Sequence, residues 1–265
     1  MSYVDMFLHP VLKADEAALF DLSLDTLQQF SKGILEVFEH QTIQHGMVCL
    51  FDDQSLKQQQ SIEIFQALKQ SQKLSFSYVP NFRQADCWDV LENAVTCGFS
   101  SITFHPYLQE IEPSDFDNIA KLCQRAKSLG LFVCVCTAYG SKKIFRYHSL
   151  PLVVHLADQL TCPIVLVHGG GAKVLEAFLI AEMYPHIYFE TSFSLPYWIG
   201  STIETDIAFV LKRLGSHRCM FGSDAPFISL EEALQTHLSF FERHHFKDSD
   251  IEKIMGQTAA TLLEI

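Results

Sequence analysis

The segment RCMFGSDAPF, residues 218–227, carries a carboxylate where an idle one would be costly. Cys219, Met220 and Phe221 run on without polar alternation and read as a buried strand, Gly222 and Ser223 lead to Asp224, and Pro226 stops the extended run. An unpaired buried charge is unfavourable, so Asp224 is expected to be paired, to hold a metal, or to serve as a general base. Other reactive side chains also close apolar runs. His9 and His105 each stand before a proline, His168 stands before three glycines, Cys136 ends VCVC, Asp52 ends a run at Phe51, and Glu190 is followed two residues on by Ser192. Imidazole, thiolate and carboxylate are the donors of zinc sites and the groups of acid–base catalysis. Each also has a plain structural reading. Asp224 can accept from strand-end amides, His9 can cap a strand, and a cysteine ending VCVC packs well as a small hydrophobe.

These residues need elements that bring them together. Apolar runs predict strands at 3–8, 46–51, 74–79, 100–104, 131–136, 163–167, 187–189 and 218–221. Helical spacing places helices at 25–40, 55–69, 86–96, 113–129, 150–160, 172–184, 205–214, 231–244 and 249–263. Continuous rather than alternating apolar strands imply burial on both faces, hence a parallel sheet. Eight strand–helix units without a linker predict an α/β fold, one (β/α)8 barrel domain over residues 1–265, with its working face at the strand C-terminal ends. The reactive residues above all fall at those ends. The glycine run after His168 also raises a phosphate cradle, though without the Lys-Ser/Thr of a P-loop.

Composition narrows the partners. A net charge of −12 argues against nucleic acid or an anionic membrane surface. The eight cysteines are scattered through apolar runs without a CxxC pair, the habit of reduced thiols in a cytoplasmic protein. No apolar run reaches membrane-spanning length, and no signal peptide is read at the N-terminus. Twenty-two phenylalanines predict an aromatic interior.

ITFHPYLQ, IVLVHGGG, YFETSFS, RCMFGSDAPF and IMGQTAATLL, in this order and spacing, resemble the amidohydrolase superfamily, in particular its amidohydrolase-related branch of hydrolases, lactonases and decarboxylases. The resemblance spans nearly the whole chain. It implies a divalent metal held by an HxH pair on the first strand, a His on the fifth and an Asp on the eighth, with a sixth-strand His assisting. These positions fall on Phe7 and His9, Cys136, Asp224 and His168. Thr103 stands where some members carry a lysine, which argues against a lysine-bridged two-metal centre. Phe7 cannot bind metal, whereas a Cys136 thiolate can. The resemblance therefore implies one divalent metal, zinc by preference, on His9, Cys136 and Asp224, or a site that works without metal.

The expected activity is hydrolysis of an amide, ester or lactone of a small molecule. Asp224 takes a proton from water, His168 donates to the developing oxyanion, and His105, Ser192 and Arg146 contact substrate. The alternatives are a decarboxylase, for which Arg83 or Arg146 would clamp the substrate carboxylate, and an inactive barrel kept as a binding module. The loops over 10–24, 139–147 and 193–202 hold aromatic and small residues with few charges, which favours an apolar or aromatic substrate. The Tyr197–Trp198 pair is expected to be exposed, as a lid or a homo-oligomer contact.

Overall fold

A computed structural model describes residues 3–14, 19–20, 22–40, 42–138 and 141–265. Among these, eight strands form one parallel sheet in sequence order: β1 (Tyr3–Leu8), β2 (Ile43–Leu50), β3 (Leu74–Tyr78), β4 (Ser101–Phe104), β5 (Phe132–Cys136), β6 (Ile164–Val167), β7 (Ile187–Glu190) and β8 (Cys219–Met220). Helices alternate with them: α1 (Leu24–His40), α2 (Gln59–Gln70), α3 (Cys87–Thr96), α4 (Phe116–Ser128), α5 (Ser149–Gln159) and α6 (Val174–Met183). A single turn, α7 (Ser194–Trp198), precedes α8 (Thr202–Leu214), and α9 (Leu230–Arg243) follows β8. The expected (β/α)8 architecture is the one found.

Alternate strand residues serve two cores. Val48, Leu50, Phe76, Ile102, Val133, Val135 and Leu166 pack outward against helices. Val4, Met6, Met47, Cys49, Cys134, Val165, Val167 and Met220 form a second cluster inside the barrel. On β3 and β4 the alternate positions are small and polar, and there Ser77 Oγ and Thr103 Oγ1 hydrogen-bond at 2.6 Å. This satisfies two buried hydroxyls that would otherwise be costly. Helix starts follow the sequence: the Ser201 hydroxyl caps α8 at Ile203 N, and Ser229 caps α9 at Glu232 N.

Closure of the barrel differs from expectation. β8 is regular over only two residues, and the segment after it turns away to pair with β1. Met6 N donates to Phe221 O (3.0 Å), Asp224 N to Phe7 O (2.9 Å) and His9 N to Ala225 O (2.8 Å). The one-turn α7 lies inside what the sequence reads as a loop, because five residues are too few for a helical period to show. Its Tyr197 is exposed as expected, but Trp198 packs against the core rather than standing free.

Candidate active site

The barrel brings His9, His105, His168 and Asp224 to one cleft of about 230 Å³ at the strand C-terminal ends. Leu19, Phe20, Ser141 and Phe193, from the three loops expected to cover the site, also line it. Residues 15–18, 21, 139 and 140 of those loops lie outside the described residues.

Asp224 and His9 meet because the β1 pairing sets their backbones side by side. His9 Nε2 lies 3.1 Å from Asp224 Oδ1. Asp224 sits at φ 65°, a turn that Asp tolerates better than most residues. Its Oδ2 makes no hydrogen bond to a described residue, so it is available to a water or ligand in the cleft. The His9 ring is enclosed edge-on by Phe7, Phe51 and Phe227, with centroids 5.3, 5.0 and 5.3 Å away, and its Nδ1 is buried without a partner.

His168 is held by a hydrogen-bonded chain from below. Its Nδ1 lies 3.0 Å from the carbonyl oxygen of Ser192 and 2.9 Å from Ser192 Oγ. A carbonyl can only accept, so Nδ1 carries the hydrogen and Nε2 presents a lone pair. Ser192 Oγ in turn donates to Glu190 Oε2 at 2.7 Å, and the same oxygen accepts from His168 N at 3.1 Å. Burial lowers the His168 pKa, so the ring is neutral near pH 7. The expected donation from His168 to an oxyanion therefore does not fit, and this ring is built to accept. Burial likewise lowers His105 to about 3, and its Nδ1 has no partner.

Several expected participants sit elsewhere. Ser192 is wholly buried and spends its hydroxyl on Glu190 and His168, so it positions the histidine rather than touching substrate. Arg146 lies on the outside, 3.0 Å from Glu112, and does not line the cleft. Arg83 is occupied by Asp115 (2.5 Å) and by the carbonyl oxygens of Gln109 and Glu110. Asp52 caps a turn through Gln54 N and Ser55 N. In the glycine run, Gly170 N is already taken by Thr137 Oγ1 at 2.7 Å, which spoils a phosphate cradle.

The expected metal set of His9, Cys136 and Asp224 does not assemble. Cys136 is buried and absent from the cleft lining, and burial pushes its thiol up to about 12, so it packs as a small hydrophobe. Phe7 fills the position of the first-strand ligand, between the rings of His9 and His168. Among the described residues no three His, Cys, Asp or Glu side chains are grouped to share an ion. The donor set does not fit the metal that the resemblance implies.

A pair of carboxyls lies under the floor, of which sequence reading named Glu190 at its strand end and missed Asp5. Asp5 accepts from Ser223 Oγ (2.5 Å), Ser223 N (2.9 Å) and Phe7 N (3.2 Å), and so braces both strands that carry the His9–Asp224 pair. The only signal was an acid inside an otherwise apolar strand. Burial raises Asp5 from 3.8 to about 7 and Glu190 from 4.5 to about 8. From pH 4.5 to 8 the unfolded chain releases the Glu190 proton while the folded one keeps it, so this group's contribution to stability falls as pH rises. Urea unfolding is expected to show that fall, and Glu190→Gln to flatten it by a difference on the order of a few kcal/mol across the window. Parallel wild-type and variant curves would contradict the assignment.

A family model described as amidohydrolase matches residues 77–265, which include β4 to β8 and both His168 and Asp224. The chain belongs to the amidohydrolase family. It is thus an enzyme of the hydrolase type, and the sequence resemblance is borne out. No curated protein matches this amidohydrolase in sequence. Its fold is shared with a probable 2-pyrone-4,6-dicarboxylic acid hydrolase of Acinetobacter baumannii, solved with citric acid bound (15% identity, 100% of both chains, TM-score 0.69). It is also shared with an uncharacterised TIM-barrel protein of Bordetella bronchiseptica (16%, 100% of this chain and 99% of the other, TM-score 0.73). A third similar structure is a dihydroxybenzoic acid decarboxylase of a Polaromonas species with manganese and 2-nitroresorcinol (13%, 99% and 97%, TM-score 0.68).

Proposed function

We propose that this amidohydrolase, as one barrel domain, hydrolyses an ester, lactone or amide carbonyl of a small molecule with its own side chains and without a metal. The observation that carries this is the His9–Asp224 pair facing a neutral His168 whose Nδ1 is already committed, all on one cleft. Water in the cleft gives one hydrogen bond to Asp224 Oδ2 and one to His168 Nε2. Both of its lone pairs are then free, and one attacks a carbonyl. Asp224 takes the proton as the oxygen bonds to carbon, while His9 Nε2–H steadies Oδ1. His105, in the tautomer with hydrogen on Nε2, donates to the carbonyl oxygen as it becomes negative. Collapse breaks the bond to the leaving group, which takes the proton back from Asp224.

The lyase alternative needs a cation for the substrate carboxylate, and Arg83 and Arg146 are both turned to acids outside the cleft. Among the described residues no helix is long and apolar enough to cross a membrane. All eight cysteines are free and buried, which supports a reducing, cytoplasmic setting.

Protein dialysed against a chelator tests the proposal, with ring opening of dihydrocoumarin followed by absorbance. The expected result is turnover above the enzyme-free rate, with kcat/KM within about twofold of the untreated protein. Activity that disappears and returns only with zinc or manganese overturns the metal-free mechanism. No hydrolysis of lactone, ester or amide probes overturns the hydrolase assignment.

A further inference from the structure

The cleft is notable for which charges it contains. Six of its walls are aromatic rings: Phe7, Phe20, Phe51, Tyr107, Phe193 and Phe227. Among the described residues its one acid is Asp224, and no lysine or arginine lines it. The undescribed residues include no lysine or arginine either. Of the cations on the loops nearest the cleft, three are directed to acids, Arg83 to Asp115, Lys143 to Glu110 at 2.5 Å and Arg146 to Glu112, and Lys13 and Lys142 do not line it. The histidines do not replace them, since burial holds His105 and His168 below the usual imidazole range and His9 Nε2 is already committed to Asp224 Oδ1 at 3.1 Å. The chain as a whole is at −12, so its long-range field also repels anions.

A carboxylate entering this cleft would lose its hydration, meet no counter-charge and approach Asp224. Each of these is unfavourable, and together they exclude it. A flat uncharged ring loses little hydration and gains edge and face contacts from the walls. The volume, about 230 Å³, lies below the span of roughly 300–1,000 Å³ usual for drug-sized ligands. From this geometry we infer that the substrate class is a small uncharged aromatic ester or lactone, and that carboxylated analogues are rejected. This rests on the hydrolase reading of the same cleft and adds the selectivity.

Calorimetric titration of the wild-type protein with coumarin and with coumarin-3-carboxylate tests it, because binding heat does not require turnover. Coumarin is expected to bind at least about tenfold more tightly than its carboxylate. Phe20 lines the mouth and is 51% exposed, so Phe20→Arg leaves the core intact and is expected to erase or reverse that ratio, with Phe20→Leu keeping it. Equal or tighter binding of the carboxylate to the wild type overturns the inference, as does no binding of coumarin. The two readings fail separately. A tenfold preference without hydrolysis of any probe retains the selectivity and removes the hydrolase. Hydrolysis of charged and uncharged lactones alike does the reverse.

Discussion

Asp224→Asn lowers kcat/KM by about a thousandfold, the range expected when a general base is removed. The amide is nearly isosteric, and its oxygen can still accept from His9 Nε2, so the 3.1 Å contact survives. What changes is the other end. Oδ2 becomes an NH2 that donates, and the attacking water loses the acceptor that takes its proton. A thousandfold loss corresponds to ~4 kcal/mol of transition-state stabilisation. The fold is expected to be spared, because asparagine is among the residues that best tolerate the φ of 65° found here. The comparison is kcat/KM for dihydrocoumarin opening beside a thermal melt. A variant within tenfold of wild type would remove Asp224 from the chemistry, and one that loses activity and melts far lower would show a structural role instead.

Gly222→Ala is expected to be the most damaging methyl that can be added near the floor. An added Cβ would overlap Glu190 Oε1 and lie 2.8 Å from Glu190 Cδ and 3.1 Å from Ser192 Cβ. Glu190 is fully buried and pinned by His168 N, Ser192 N and Ser192 Oγ, so it has nowhere to retreat. Overpacking of this kind costs about 3 kcal/mol. For a chain of this size that lowers the melting temperature by roughly 6–12 °C. Activity falls with it, because moving Glu190 releases Ser192 and, through it, the tautomer of His168. Glu190→Ala in the same chain removes the obstructing atoms, so the double variant should lose less stability than the two single losses added. Melting within about 2 °C of the parent would show that the floor yields and that the argument is wrong.

Strand ends proved the most legible part of this molecule. A strand buried on both faces announces itself as an unbroken apolar run, and its last polar residue marks the working rim. That logic located His9, His105, His168 and Asp224 in one cleft. It failed for Cys136 and Ser192, because a strand end names a level in the barrel and does not say whether a side chain reaches the cleft or stays beneath it. It failed for Arg146 because surface arginines choose partners across loops, here Glu112, 34 residues away. The Asp5–Ser223 brace escaped notice for a related reason: its members are 218 residues apart and meet only when the barrel closes.

That late meeting has a consequence for how activity is regained. The pairing that joins the first strand to the segment after the eighth runs through Phe221, Asp224 and Ala225, so the base is set in place by the closing of the ring rather than by either strand alone. During refolding, hydrolysis should return only with that closure, however early the helices recover their circular dichroism. Turnover is then a direct clock for completion of the cylinder.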